Sequence, residues 1–254
     1  MQLLAETGWA PLPADVQPSV AEGVTCDVAV IGGGVGGMTA ALRLAESGAD
    51  VVLLEAQTCG WGASSRNAGY VTNSVAADPG LLALLFSRSK VRALFRYAEA
   101  AVEFTQDAIA GRGIDCDFEK IGIVQAAVSK GQLRKARRNA KIMAAAGSSA
   151  EFVEGPAGGL PDGFLGGMRE GIGGTLNPGK YVLGLRDAVL SSRARVFEHT
   201  RVQDVVERRA AERHPGRPIP VRGAFCCGRR SRGAHEHAAD RGGRADLESD
   251  AADR

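Results

Sequence analysis

The placement of Gly32, Gly34 and Gly37 restricts this chain more than any other feature. Val28-Ala29-Val30-Ile31 precedes them, a short apolar run of the kind a buried parallel strand needs. After the glycines, Met38, Ala41, Leu42 and Ala45 recur at spacings of three and four, which puts them on one face of a helix. Gly48 stands where a left-handed residue would end that helix, and Val51 to Leu54 forms the next apolar run. The segment from about Cys26 to Leu54 therefore reads as a strand–turn–helix–strand unit.

Each glycine has a mechanical role in such a unit. Gly32 permits the tight turn, Gly34 lets a ligand's pyrophosphate approach the backbone, and Gly37 lets the helix pack close to the strand. A phosphate in the turn faces the helix start, whose free N–H groups and partial positive charge favour an anion. Glu55 follows Gly32 by 23 residues and ends the second strand. Its carboxylate can accept both hydroxyls of a ribose and would repel a 2′-phosphate, which disfavours NADP. The unit alone does not separate FAD from NAD. Without its context, the pattern would be only a glycine-rich turn.

Elsewhere the pattern alternates. Residues 1–23 carry Pro11, Pro13 and Pro18 and read as an extended arm. Leu81 to Ile109 has helical spacing, Ile121 to Val128 reads as a strand, and Gln132 to Ala146 as a basic-faced helix. Residues 155–179 are rich in Gly and Pro and read as loop; a helix over Val182 to Leu190 and a strand from about Arg195 to Val206 follow. This alternation predicts an α/β class. No run approaches the ~18 apolar residues of a membrane span. The N-terminus lacks a signal-peptide pattern, so a cytoplasmic location is expected. Five cysteines are too few and too scattered for a disulfide scaffold. A net charge of +2 gives no reason to expect a nucleic-acid partner.

A second motif, Gly60-Trp61-Gly62-Ala63-Ser64-Ser65-Arg66-Asn67-Ala68-Gly69-Tyr70, follows Glu55 closely. With the first, it resembles the FAD-dependent amine and amino-acid oxidoreductases of the D-amino-acid oxidase/glycine oxidase superfamily, and most of all the gamma-glutamylputrescine oxidoreductase-like branch. That branch carries Gly-Ala-Ser-Gly-Arg-Asn-Gly-Gly here; Ser65 and Ala68 replace two of its glycines. The arm with Glu6-Thr7 is also similar, and the resemblance covers residues 5 to about 206. It implies a Rossmann-like FAD-binding domain over 24–80 and about 155–206. An inserted, incomplete α+β substrate domain would occupy about 81–154.

The resemblance also implies FAD as the cofactor. Gly32, Gly34, Gly37 and Glu55 would hold its pyrophosphate and ribose. Ser64 and Ser65 would donate to phosphate, Arg66 or Asn67 would hold the flavin edge, and the backbone at Val202 would meet the adenine. The implied reaction oxidises the C–N bond of an amine or amino acid, with oxygen or another carrier accepting electrons. A polyamine derivative, a secondary amino acid and a D-amino acid all fit as substrates. No catalytic side chain is named, because the cofactor carries the chemistry. Cys59 is expected to pack and His199 is assigned no role. Two other readings are an NAD-linked dehydrogenase and a non-catalytic dinucleotide-binding fragment.

Residues 207–254 differ from the rest. They hold 11 arginines and no lysine, and only Ile219, Val221, Phe225 and Leu247 represent the larger apolar types. So few apolar groups cannot offset the entropy of ordering the segment. We expect a disordered or out-of-frame tail there and a truncated fold. Eight acids nearly balance the arginines, which argues against a nucleic-acid arm. Cys226-Cys227 and His235-x-His237 sit in this tail, and no metal site is expected from them.

Overall fold

The computed structural model describes residues 8–205, apart from 12, 21, 22 and 76, together with a short strand at 219–221. Strand β1 (Val24–Cys26) leads into β2 (Val28–Ile31), helix α1 (Val35–Glu46) and β3 (Val51–Leu54). β2 and β3 pair in parallel, Val28 opposite Val51 and Ile31 opposite Leu54. All four residues of β3 are buried because both faces of the sheet are covered. Val51 and Leu53 face α1, whose Met38, Ala41, Leu42 and Ala45 are buried as the helical spacing predicts. Val52 and Leu54 face the other way, toward Cys26 and Val202. Fully burying each such side chain stabilises by about 1.5–3 kcal/mol, so β3 anchors the unit. Gly48, at φ +94°, ends α1 as expected and returns its N–H to Ala45.

The chain then crosses to a second layer through β4 (Tyr70–Val71), α2 (Pro79–Leu85) and α3 (Arg88–Arg112). The single helical pattern over 81–109 is two helices. Phe86 is extended between them, and Asp78 caps α2 by accepting the Leu81 N–H at 3.0 Å. Next come β5 (Ile123–Ala127), α4 (Lys130–Ala145), β6 (Ala150–Glu154) and β7 (Gly166–Glu170). These strands form an antiparallel sheet in the order β5-β7-β6, with α4 on one face. Leu82, Val91, Phe95, Met143 and Met168 fill the space between helices and sheet.

The expected loop over 155–179 thus contains the central strand of this sheet, and also β8 (Gly174–Thr175), which pairs with β4. Its glycines conceal the strand from the sequence, yet the sheet needs them. A Cβ on Gly167 would lie 2.7 Å from the Gln125 carbonyl oxygen, and Gly166 has φ +150°. The pairing joins 166–170 to β5 and β6, both within 81–154.

Helix α5 (Pro178–Leu190) returns to cover α1, and β9 (Arg195–Phe197) joins the first sheet beside β3, in the order β2-β3-β9. β9 ends at Phe197 instead of reaching Val206, because His199 adopts φ +49° and the chain turns. Among the described residues, β2 has no neighbour on its other side. A tenth strand, β10 (Ile219–Val221), pairs antiparallel with β1, so the segment expected to lack structure contributes a strand. Cys226, Cys227, His235 and His237 lie outside the described residues.

Candidate functional site

The site forms where β2 ends and α1 begins. Gly32 turns at φ +101°, a conformation that strains any side chain. A Cβ on Gly37 would fall 1.9 Å from the Gly32 carbonyl oxygen, so the first turn of α1 packs directly on the glycine turn. A Cβ on Gly34 would meet the Ser64 hydroxyl at 2.9 Å. The crowding at Gly34 therefore comes partly from the chain itself. A Cβ on Gly36 would meet nothing within 4 Å, so the turn keeps an open face.

Two groups from the loop after β3 converge on this turn. Glu55 accepts the Gly33 N–H at 2.6 Å and the Gln57 N–H at 2.8 Å, so its carboxylate lies against the glycines. Each oxygen still has a free lone pair for a ribose hydroxyl. Ser64 lies in a single 3₁₀ turn, Ala63–Ser65, and its hydroxyl accepts the Val35 N–H at 3.1 Å. That hydroxyl thus stands at the N-terminus of α1, where the helix has unpaired donors.

The remaining candidates of the loop serve its shape. Ser65 is buried and turned inward, donating to the Gly60 carbonyl at 2.5 Å. Arg66 lies over the Trp61 ring, 4.7 Å from its centroid, and donates to the Gly62 carbonyl. Asn67 ties the loop to itself, donating to the Ser64 carbonyl at 2.7 Å and accepting the Gly69 N–H at 2.8 Å. The Val202 side chain is buried with Cys26, Val52 and Leu54. Gly32, Gly34, Gly37, Glu55 and Ser64 are therefore brought together, with Asn67 beside them on the wall of the adjoining cavity, while the Ser65 hydroxyl turns into the loop and Arg66 stacks on Trp61. Beside Ser64 opens a cavity of about 280 Å³, lined by Val35, Asn67, Thr72, Val102 and Tyr181 among others.

A buried ion pair that the sequence did not reveal holds this arrangement. Glu198, fully buried just after β9, accepts the Cys59 N–H at 2.7 Å and the Gln17 N–H at 2.8 Å. It also accepts two bonds from the buried Arg186 of α5, at 3.2 and 3.3 Å. Burial opposes its charge, but the guanidinium and the two backbone donors prevail and hold its carboxyl below the usual range. Arg186 reaches on to Asp15, so the N-terminal arm is packed against the fold. Cys59 lies beneath the glycine turn: a Cβ on Gly33 would be 2.5 Å from its sulfur. Burial pushes this thiol's pKa up, which suits packing and not reactivity. Contacts spanning 139 residues leave no local signal in a sequence.

Among the described residues, no group of His, Cys, Asp and Glu could hold a metal, and no helix is long and apolar enough to cross a membrane. The sequence is 31% identical over 195 residues to gamma-glutamylputrescine oxidoreductase of Escherichia coli K12, covering 72% of this chain and 44% of that protein. The structure resembles glycine oxidase from Bacillus cereus with a TM-score of 0.53 and 26% identity, covering 72% of this chain and 48% of that one. It also shares the fold of the L-amino acid deaminase from Proteus myxofaciens, at a TM-score of 0.63 and 17% identity over 84% of this chain and 46% of that one. The chain thus spans less than half the length of each of these three relatives. Residues 27–238 match the family described as FAD dependent oxidoreductase, so the match runs past Val206, where the resemblance had been expected to end, and the chain belongs to that family.

Proposed function

We propose that this chain forms the FAD-binding part, and some of the substrate-facing part, of an oxidoreductase acting on an amine or amino acid in the cytoplasm. The carrying observation is convergence: the glycine turn, Glu55 and Ser64 meet at the N-terminus of α1, next to a cavity of about 280 Å³. In this reading the backbone of Gly32, Gly34 and Gly37 and the donors of α1 hold the pyrophosphate. Glu55 takes the ribose hydroxyls in addition to its two backbone donors. Ser64 lies near enough to the helix start to donate to a phosphate oxygen. Ser65, Arg66 and Asn67 fix the loop's shape, and the backbone at Val202 is our candidate for the adenine contact. We set the boundary of the second domain near Gly171, because β7 belongs to the β5-β7-β6 sheet.

When bound, FAD supplies the hydride acceptor, at flavin N5, for oxidation of a C–N bond. The chain's own contribution is orientation. The cavity beside Ser64 is walled in part by Val35, Val71, Val102 and Leu176, which would contact the carbon skeleton of a substrate, while Ser64, Asn67, Thr72 and Thr105 offer polar groups. Oxygen or another carrier would take the electrons. The test is to titrate the purified chain with FAD, then add amines and amino acids without air. Bleaching of the bound yellow chromophore by one of them supports the reading, and failure to bind FAD refutes it. A second reading, a non-catalytic dinucleotide-binding fragment, is favoured by the side of β2 that has no partner among the described residues, where a doubly wound sheet carries a further strand. FAD binding without bleaching by any amine would favour that reading.

A further inference from the structure

The corner between α2 and α3 presents an unusual surface. Residues 83–90 are all exposed. Leu81, Leu84, Leu85 and Phe86 are exposed by 50, 81, 62 and 48%, while Leu82 turns inward to the core. Isolated exposed leucines are ordinary, but four exposed large apolar groups within six residues mark a contact surface. The positive charges begin immediately afterwards. Arg88, Lys90, Arg92 and Arg96 follow within ten residues, and the stretch 79–98 contains no acid at all.

The fold makes these charges a rim. Arg88, Arg92 and Arg96 recur every four residues on α3 and so share one face. Together with Lys141 of α4 they border a groove of about 910 Å³ whose walls include Ala83, Phe86, Val91 and Ile142. Among the described residues, no carboxylate forms an ion pair with Arg88, Lys90, Arg92, Arg96 or Lys141. The nearby acids are already engaged: Asp78 by Lys135 and Arg138, and Glu99 by Asn73, Ser148 and Ser149. The four of these cations that border the groove, Arg88, Arg92, Arg96 and Lys141, together with the apolar corner complement a surface that is negative outside and apolar beneath.

We propose that the α2–α3 corner docks this protein peripherally on an anionic lipid surface. Leu84, Leu85 and Phe86 enter the headgroup boundary while Arg88, Arg92, Arg96 and Lys141 meet lipid phosphates. A globular anionic partner would satisfy the charges but would not require the exposed leucine tip. A bilayer interface answers both features at once.

Flotation with vesicles tests this. The intact chain should float with phosphatidylcholine vesicles containing phosphatidylglycerol, stay behind with pure phosphatidylcholine, and be released by high salt. Each Arg→Ala change at Arg88, Arg92 or Arg96 should lower the partition coefficient roughly fivefold. The pair Leu84→Asp and Leu85→Asp should abolish flotation while leaving the far-ultraviolet circular dichroism unchanged, since both side chains are exposed. Equal binding to neutral vesicles, no binding to anionic ones, or binding indifferent to the aspartates would each overturn the proposal. So would a dimer, seen by light scattering, that the aspartates dissolve, because a second copy would then be the occupant of this face.

Discussion

Replacing Glu198 by Gln probes the buried pair that fixes the loop beneath the glycine turn. Four donors converge on two carboxylate oxygens. One oxygen takes the Cys59 N–H and Arg186 Nε, and the other takes the Gln17 N–H and an Arg186 Nη. An amide keeps the shape but turns one oxygen into a donor. Whichever way it lies, one backbone N–H and one guanidinium N–H lose their acceptor. Each orphaned buried donor costs about 1–3 kcal/mol. As a charged partner Arg186 would keep only Asp15, whose side chain is 70% exposed and so offers a well-screened charge. Breaking a buried ion pair typically costs about 3–5 kcal/mol. The two estimates agree on roughly 4 kcal/mol. For a chain of this size, that is a melting temperature lower by on the order of 10 °C. Circular dichroism during heating and urea unfolding would measure it, with the same variant assayed for FAD retention because the Cys59 N–H tether is loosened. A loss below about 0.5 kcal/mol, within the range of ordinary surface substitutions, would show that this pair does not hold the loop.

Three further outcomes are expected. Gly34→Val together with Glu55→Ala should abolish retention of flavin absorbance through gel filtration; unchanged colour would refute the placement of the dinucleotide. Gly37→Ala should destabilise by about 1–3 kcal/mol, because its Cβ would fall 1.9 Å from the Gly32 carbonyl oxygen, and a urea midpoint equal to wild type would contradict that packing. Acid should weaken the fold below about pH 4. Asp78 is held near 2, against an ordinary 3.8: burial raises it, but Asn139, Lys135 and the Leu81 N–H outweigh that. Its stabilisation is therefore present above pH 3.8 and lost as pH falls toward 2. Glu198, also lowered, acts in the same direction. Glu170 is raised by burial, against Thr72 and Gln125, and opposes them: its stabilisation is present below 4.5 and lost as pH climbs from there through its raised value. Urea midpoints at successive pH values should fall less steeply in Asp78→Asn than in wild type.

The βαβ unit was legible because its information is local. Four apolar residues, a spaced set of glycines, a helical stripe and a terminal acid all lie within about 30 positions. The sequence alone therefore determined the parallel pairing of β2 with β3, the buried face of α1, and the place of Glu55 beside the turn. It did not determine β7, whose Gly166 and Gly167 carry no strand signal yet fit only because β5 and β6 press on both sides. It gave Ser64 and Ser65 equal standing, and the packing separated them. One hydroxyl caps the start of α1 and the other turns into the loop. It gave no hint of Glu198 and Arg186, since their partners in the arm and at Cys59 are distant along the chain. Short-range spacing encodes the turn we propose to meet a dinucleotide. The side chains that hold the turn in place acquire their roles only when burial withdraws water, leaving each charge dependent on whatever the fold has brought beside it.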